Sequence, residues 1–394
     1  MPGIALEDPR SGSKPSDRWP HISRARIPEL DGIRGTAILM VLLYHVFSYT
    51  MLYRTVVDER WAKLAHLLAR ITEHGGYGVD LFFVLSGFLI TGILLDARFD
   101  IHYFRNFYVR RVLRILPLYY TVLAVIFLCY PKSADYVLLS FFQLSNIAPI
   151  LGVTMVNGAM WSLSVEEHFY LCWPLIVRKL SPRNVAHVAA IVWVAEPVIR
   201  GIAFPHVATV FPYSWFRFDG LASGAIIACF VRSTAYSQRR ARQAAILLTI
   251  TGILIEIAGS PWNIRQHQTQ FGATFEYPPI NMICAALVLW GACASGLAET
   301  TILRFWPLRI CGDLSYCLYL THMMVMDAYD TTLHFLGYSS SLSFRGLVIR
   351  ATAVLAGSFA IAVGSRRYLE QPALRLKRFL KRSPDGRRQL STAA

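Results

Sequence analysis

Arg34 and His45 stand 11 residues apart in one apolar run, IPELDGIRGTAILMVLLYHVFSY. On a helix that spacing falls about 20° beyond three full turns, so both side chains share a face, about 16 Å apart along the axis. A guanidinium near one end and an imidazole deeper in suit a long substrate. Its anionic head would stay at the mouth while its reactive end reaches a titratable base. The same two residues also suit a snorkelling arginine and a satisfied core histidine.

Other polar residues lie where a polar group is expensive. Arg110 and Arg114 are four apart and Arg111 flanks them, in FRNFYVRRVLRILPLYY. Three guanidiniums at one mouth make a phosphate clamp, because their forks match phosphate oxygens, or simply a basic loop beside a span. The run WSLSVEEHFY carries Glu166, Glu167 and His168. Two carboxylates and an imidazole can orient a base or hold sugar hydroxyls, and they equally suit a serine-capped helix start with acids in its first turn. Asp80 follows Gly75, Gly76 and Gly78 at the start of another apolar run. Arg217 and Asp219 open a further one and could pair with each other. Tyr319 and His322 are helical neighbours in DLSYCLYLTHMM. Glu370 sits in YLEQP, where solvated interfacial charge is the simpler reading.

These residues need elements to hold them, and composition says what the elements are. The 394-residue chain is 55% hydrophobic and only 16% charged, with a mean hydropathy of +0.42. Soluble proteins carry roughly a quarter charged residues. The chain therefore reads as an all-α polytopic membrane protein, not a disordered, fibrous or disulfide-scaffolded one. Runs long enough to span occur at 30–50, 77–96, 113–130, 161–177, 185–204, 215–231, 243–259, 278–298, 313–335 and 346–364. That is about ten transmembrane helices, with both termini on the same side.

Charge orients them. With the N-terminus cytoplasmic, inner segments carry 28 Lys and Arg and outer segments 9, a clear positive-inside bias. The net charge of +15 then reflects topology, and no nucleic acid is expected as partner. Residues 137–150 are apolar but too short to span, and counting them as a span would invert the bias. They read as an interfacial or re-entrant segment on the outer side. Residues 1–26 form a polar tail with no secretory h-region, 27–372 the membrane domain, and 373–394 a basic tail suited to the inner leaflet. The seven cysteines show no metal or disulfide spacing, so no metal is expected.

Taken together, these runs resemble the acyltransferase-3 family of bacterial integral membrane O-acyltransferases. The pieces occur in order over about 27–372: ELDGIRGTAILMVLLYHV, GVDLFFVLSGFLIT, RRVLRILPLYY, WSLSVEEHFY, FRFDGLASGA, LSYCLYLTH and the closing Glu370–Pro372. One departure is His168, where the family more often carries glutamine.

The resemblance implies about ten helices in the cytoplasmic membrane. It also implies transfer of an acyl group, expected to be acetyl, from acyl-CoA to a hydroxyl of a sugar or other acceptor such as a polyketide. It matches the family's arginine–histidine pair to Arg34 and His45, and its basic motif to Arg110, Arg111 and Arg114. In that scheme CoA phosphates dock on Arg110, Arg111, Arg114 and Arg34, and His45 is the general base. Glu166 or Glu370 orients His45, and Tyr319 is a candidate donor to the oxyanion. Asp80, Glu167, Arg217, Asp219 and His322 are candidates for holding the acceptor. The competing reading is a proton-coupled secondary transporter or flippase of a surface saccharide precursor, in which intramembrane arginine, histidine and carboxylates form a proton relay. Oligomeric state is not legible.

Overall fold

The computed structural model describes residues 27–53, 59–207, 209–266, 268–337 and 343–376. The expected 1–26 tail, and the basic tail from 377 on, lie outside the described residues. Within them the chain is helical, and no strand is present among them.

The order is α1 (Pro28–Leu43), a π-helical turn (Tyr44–Tyr49), α2 (Thr50–Tyr53), α3 (Glu59–Thr72), α4 (Gly78–Asp96), α5 (Tyr103–Cys129) and α6 (Ala134–Phe141). Then come α7 (Met160–Lys179), α8 (Pro182–Ala203), α9 (Phe218–Val231), α10 (Gln238–Gly259), α11 (Gln270–Phe275) and α12 (Tyr277–Cys293). The chain closes with α13 (Trp306–Phe335), α14 (Phe344–Ser365) and α15 (Gln371–Arg375). Helix starts follow ordinary chemistry. Pro28, Pro182 and Pro278 occupy first-turn positions, where the missing N–H costs nothing. The hydroxyls of Ser181, Ser237 and Ser343 cap α8, α10 and α14.

Among the described residues, six helical stretches are long and apolar enough to cross a membrane by themselves, and up to eight are if two bent pairs each count as a span. This is fewer than the ten expected. Helices stand at 161–177, 215–231 and 313–335, but α7 is interrupted by Glu166, Glu167 and His168, and α13 by Asp313, Asp327 and Asp330. With 14 residues, α9 is about 21 Å long, short of a bilayer core. The reason is physical. These helices are packed inside the bundle, so neighbouring protein rather than lipid meets their polar groups. The apolar segment at 137–150 does not continue as a straight span: Pro131–Phe141 and Ser145–Leu151 are bent by 120°.

Two helix pairs form the centre, α1 with α13 and α4 with α9. Glycine permits both crossings. A Cβ on Gly35 would stand 1.8 Å from the Leu308 carbonyl oxygen, and one on Gly312 would stand 2.0 Å from that of Asp31. Gly87 and Gly224 do the same between α4 and α9. In a bilayer, where lipid tails are as apolar as leucine, backbone contact of this kind supplies van der Waals attraction between helices. Outward, α8 and α10 present large exposed apolar residues, among them Ile191, Val194, Leu247 and Ile257, which form the face for lipid.

Candidate active site

His45 sits in the π-helical turn that follows α1, a local widening often found where function needs a backbone offset. Its Nδ1 lies 2.8 Å from the Val41 carbonyl oxygen. A carbonyl only accepts, so in the neutral ring Nδ1 carries the hydrogen and Nε2 is left with a free lone pair. His322, on α13, is fully buried. Its Nδ1 lies 3.0 Å from the Leu318 oxygen and 2.8 Å from that of Tyr319, so it too is protonated at Nδ1. The bare Nε2 of His322 lies 3.4 Å from Nδ1 of His45, with ring centroids 4.9 Å apart. The His45 Nδ1–H is thus shared between a carbonyl and an imidazole lone pair, and both hold the ring in the tautomer a base requires. Tyr44 flanks it edge-on and Tyr49 at a tilt.

Near the start of α1, Arg34 lies 3.9 Å from Asp31 and stands within electrostatic reach of Arg111, Glu166 and Tyr170, and Arg114 within reach of Arg34, Arg111, Glu166 and Tyr170. Arg111 is half-buried and Arg114 exposed. Ser86 donates to one Glu166 oxygen at 3.0 Å and Tyr170 to the other at 2.7 Å. The Arg111 guanidinium lies 4.6 Å above the Tyr170 ring. The guanidiniums of Arg34, Arg111 and Arg114 therefore converge from α1 and α5, with the carboxylates of Asp31, Glu166 and Glu167 beside them, and guanidinium forks of this kind suit phosphate. Arg110, a turn nearer the N-terminal end of α5, is exposed.

The other candidates separate into groups. Glu166 is tied to Ser86 and Tyr170, and Glu370 lies just beyond the end of α14, hydrogen-bonded by Ser365 and within reach of Arg366 and Arg114. Neither carboxylate hydrogen-bonds His45; His322, expected to contact the acceptor, stands there instead. The Tyr319 hydroxyl pairs with Ser162 Oγ at 2.6 Å, and its ring centroid is 6.0 Å from that of His322. Glu167 is half-buried beside Arg111.

Arg217 and Asp219 do not pair with each other. Two residues apart at a helix start, they face different directions. Arg217 instead donates to Asp80 at 2.5 Å and lies over the rings of Tyr277, Trp161, Phe211 and Phe83. Asp219 accepts from Arg200 at 2.8 Å. All four side chains are buried, so they join α4, α8 and α9 rather than line an open site. His168 is also architectural: its Nδ1 meets Ser214 Oγ at 2.6 Å and its ring bonds the backbone of Gln143, which adopts φ 61° at the 120° bend.

Several of these participants went unseen in the sequence. Glu196, which accepts from the backbone N–H groups of Phe218 and Asp219, and Arg200 are four apart within an apolar run and carried the signal that Arg34 and His45 carried. Ser86, Ser162 and Tyr170 carried none, because small hydroxyls are common in spans.

A family model described as an acyltransferase domain matches residues 27–366. The chain belongs to this acyltransferase family. Among curated proteins, the peptidoglycan O-acetyltransferase OatA of Listeria monocytogenes is 27% identical over 90% of this chain and 57% of its own length. The putative peptidoglycan O-acetyltransferase YrhL of Bacillus subtilis is 35% identical over 42% of this chain and 26% of its own. The O-acetyltransferase OatA of Staphylococcus aureus is 25% identical over 76% and 50%. This acyltransferase-family chain spans about half the length of the two OatA relatives and about a quarter of YrhL. No solved structure matches it significantly. Family membership and the several apolar helices together describe a multi-pass membrane acyltransferase-family protein.

Proposed function

We propose that this protein is a membrane O-acyltransferase that moves an acyl group, acetyl by analogy with its relatives' names, from acyl-CoA to a hydroxyl of a cell-envelope carbohydrate. The observation that carries the reading is the His45 imidazole, held with Nδ1 protonated and Nε2 free. It lies on the same helix as Arg34, which converges with Arg111 and Arg114. In the proposed topology, ten helices cross the bacterial cytoplasmic membrane, with α7, α9 and α13 counted as spans, both termini are inside, and the arginines open to the cytoplasm. Phosphates of the CoA head would meet Arg34, Arg111 and Arg114, with Arg110 nearer the mouth.

The acceptor hydroxyl gives its proton to Nε2 of His45 as its oxygen attacks the thioester carbonyl. The tetrahedral intermediate collapses, the carbon–sulfur bond breaks, and the imidazolium returns the proton to the CoA thiolate. The products are the O-acyl ester and free CoA. Tyr319, beside His322, is the candidate donor to the developing oxyanion. The carbohydrate class rests on the relatives' names.

The test uses membranes containing the protein, radiolabelled acetyl-CoA and a peptidoglycan digest as acceptor. Alkali-labile acetyl ester should form, survive collapse of the proton gradient, and vanish in His45→Ala. Ester formation at the wild-type rate in His45→Ala would overturn the base assignment. No ester, together with gradient-dependent saccharide flux, would replace the enzyme with a transporter.

A further inference from the structure

The widened turn that carries His45 is held from outside. Thr50 ends that turn and is buried. Its hydroxyl donates to the His45 carbonyl oxygen at 2.9 Å, five residues back. The Thr50 hydroxyl oxygen in turn accepts from Nη1 of Arg350 at 2.9 Å. Arg350, on α14, is 2% exposed, and its remaining edge is fixed by a two-pronged pair: Nε and Nη2 each reach an Asp330 carboxylate oxygen on α13 at 2.8 Å. An unbroken relay thus runs from Asp330 through Arg350 and Thr50 to the backbone of His45. It joins the turn to α13, the helix that also presents His322.

A π-type turn displaces a carbonyl from the regular ladder, and such turns persist only where the surroundings determine them. Here the carbonyl that meets the Thr50 hydroxyl is the catalytic candidate's own, and that hydroxyl is aimed by a buried ion pair. A guanidinium can serve carboxylate and hydroxyl at once because its donors lie in a rigid fork; an ammonium cannot reproduce that geometry.

We propose that Arg350 and Thr50 are positioning residues of the reaction, which set the register of the turn so that the His45 ring meets His322 with its Nε2 free. This rests on the reading of His45 as the base. Asp330 aims Arg350, and none of the three touches substrate.

The test compares Thr50→Val, Thr50→Ser and Arg350→Lys with the wild type and His45→Ala, in membranes with radiolabelled acetyl-CoA. A second readout, independent of turnover, is the rate at which diethyl pyrocarbonate modifies His45, followed by peptide mass spectrometry. Thr50→Val keeps the volume and the Asp330–Arg350 pair, and should lower kcat at least tenfold with KM for acetyl-CoA within twofold. His45 modification should change at least threefold. Thr50→Ser should restore both, and Arg350→Lys should resemble Thr50→Val. Should Arg350→Lys fail to fold, the two Thr50 variants decide. A folded Thr50→Val with wild-type kcat overturns the proposal, and so does a lowered kcat with unchanged His45 modification, since the ring would not have moved. Wild-type turnover in His45→Ala would end the base reading alone. The modification arm would then decide the positioning claim by itself, unchanged reactivity overturning it and serine-restored change sustaining it.

Discussion

Nε2 of His322 lies 3.4 Å from Nδ1 of His45, on the face opposite the nitrogen free to take a proton. An imidazole in place of the carboxylate that often backs a catalytic histidine adds no negative charge to a membrane interior, where an unpaired carboxylate would be costly. Removing it should leave His45 held by the Val41 carbonyl alone. His322→Ala should lower turnover by about 100-fold, the scale of a misoriented general base, with donor affinity unchanged. Initial rates against acetyl-CoA concentration measure this, and turnover at the wild-type level would show that Val41 alone suffices.

The arginine cluster makes a prediction about binding rather than chemistry. Arg114 shares its surroundings with Arg34, Arg111 and Glu166, and a phosphate group would offset the repulsion among the three guanidiniums that the nearby carboxylates leave. Arg114→Ala should weaken acetyl-CoA binding about tenfold, near 1.4 kcal/mol. The stabilisation of the detergent-purified protein by acetyl-CoA should shrink with it. Thermal unfolding with and without ligand is the measurement. An undiminished shift would move the phosphate site elsewhere.

The Asp80–Arg217 pair should behave as architecture. Both side chains are buried, and the guanidinium is enclosed by aromatic rings. Arg217→Ala leaves Asp80 without its partner and should cost about 3–5 kcal/mol, seen as a large loss of folded protein in detergent. The paired change Asp80→Leu with Arg217→Met should recover much of it. Normal stability in Arg217→Ala, with weakened acceptor use, would return these residues to the substrate.

The crossing of α1 and α13 sets the whole site, and Gly35 tests it. A Cβ there meets the Leu308 carbonyl at 1.8 Å, backbone that cannot step aside, whereas Gly364 has nothing within 4 Å. Gly35→Ala should force the helices apart at a cost of about 1–3 kcal/mol and reduce turnover with stability, while Gly364→Ala stays within about 1 kcal/mol of wild type. Melting temperatures and rates of the two variants, side by side, are the check; equal behaviour would remove the glycine contact from the account.

Much was legible along the chain. The helices at 30–50, 77–96, 113–130, 185–204, 243–259 and 346–364 are local facts, because apolar length and punctuation are carried by neighbouring residues. Arg34 and His45 stood out because ionisable groups are rare in such runs. Pairing was not legible. Arg217 was matched to its sequence neighbour Asp219, while the fold gives it Asp80, 137 residues away.

The sequence by itself determined that this is a helical, multi-pass membrane chain, and it placed an imidazole and a set of arginines on helices that hold them at different depths. The tertiary structure alone decided that His45 leans on His322, 277 residues distant, and that Arg350 reaches its turn through Thr50. The physical reason is one of range. Periodicity and hydropathy act between residues a few positions apart, but a hydrogen bond between two helices exists only after their backbones have found a crossing. Here that crossing is made where Gly35 and Gly312 let α1 and α13 touch.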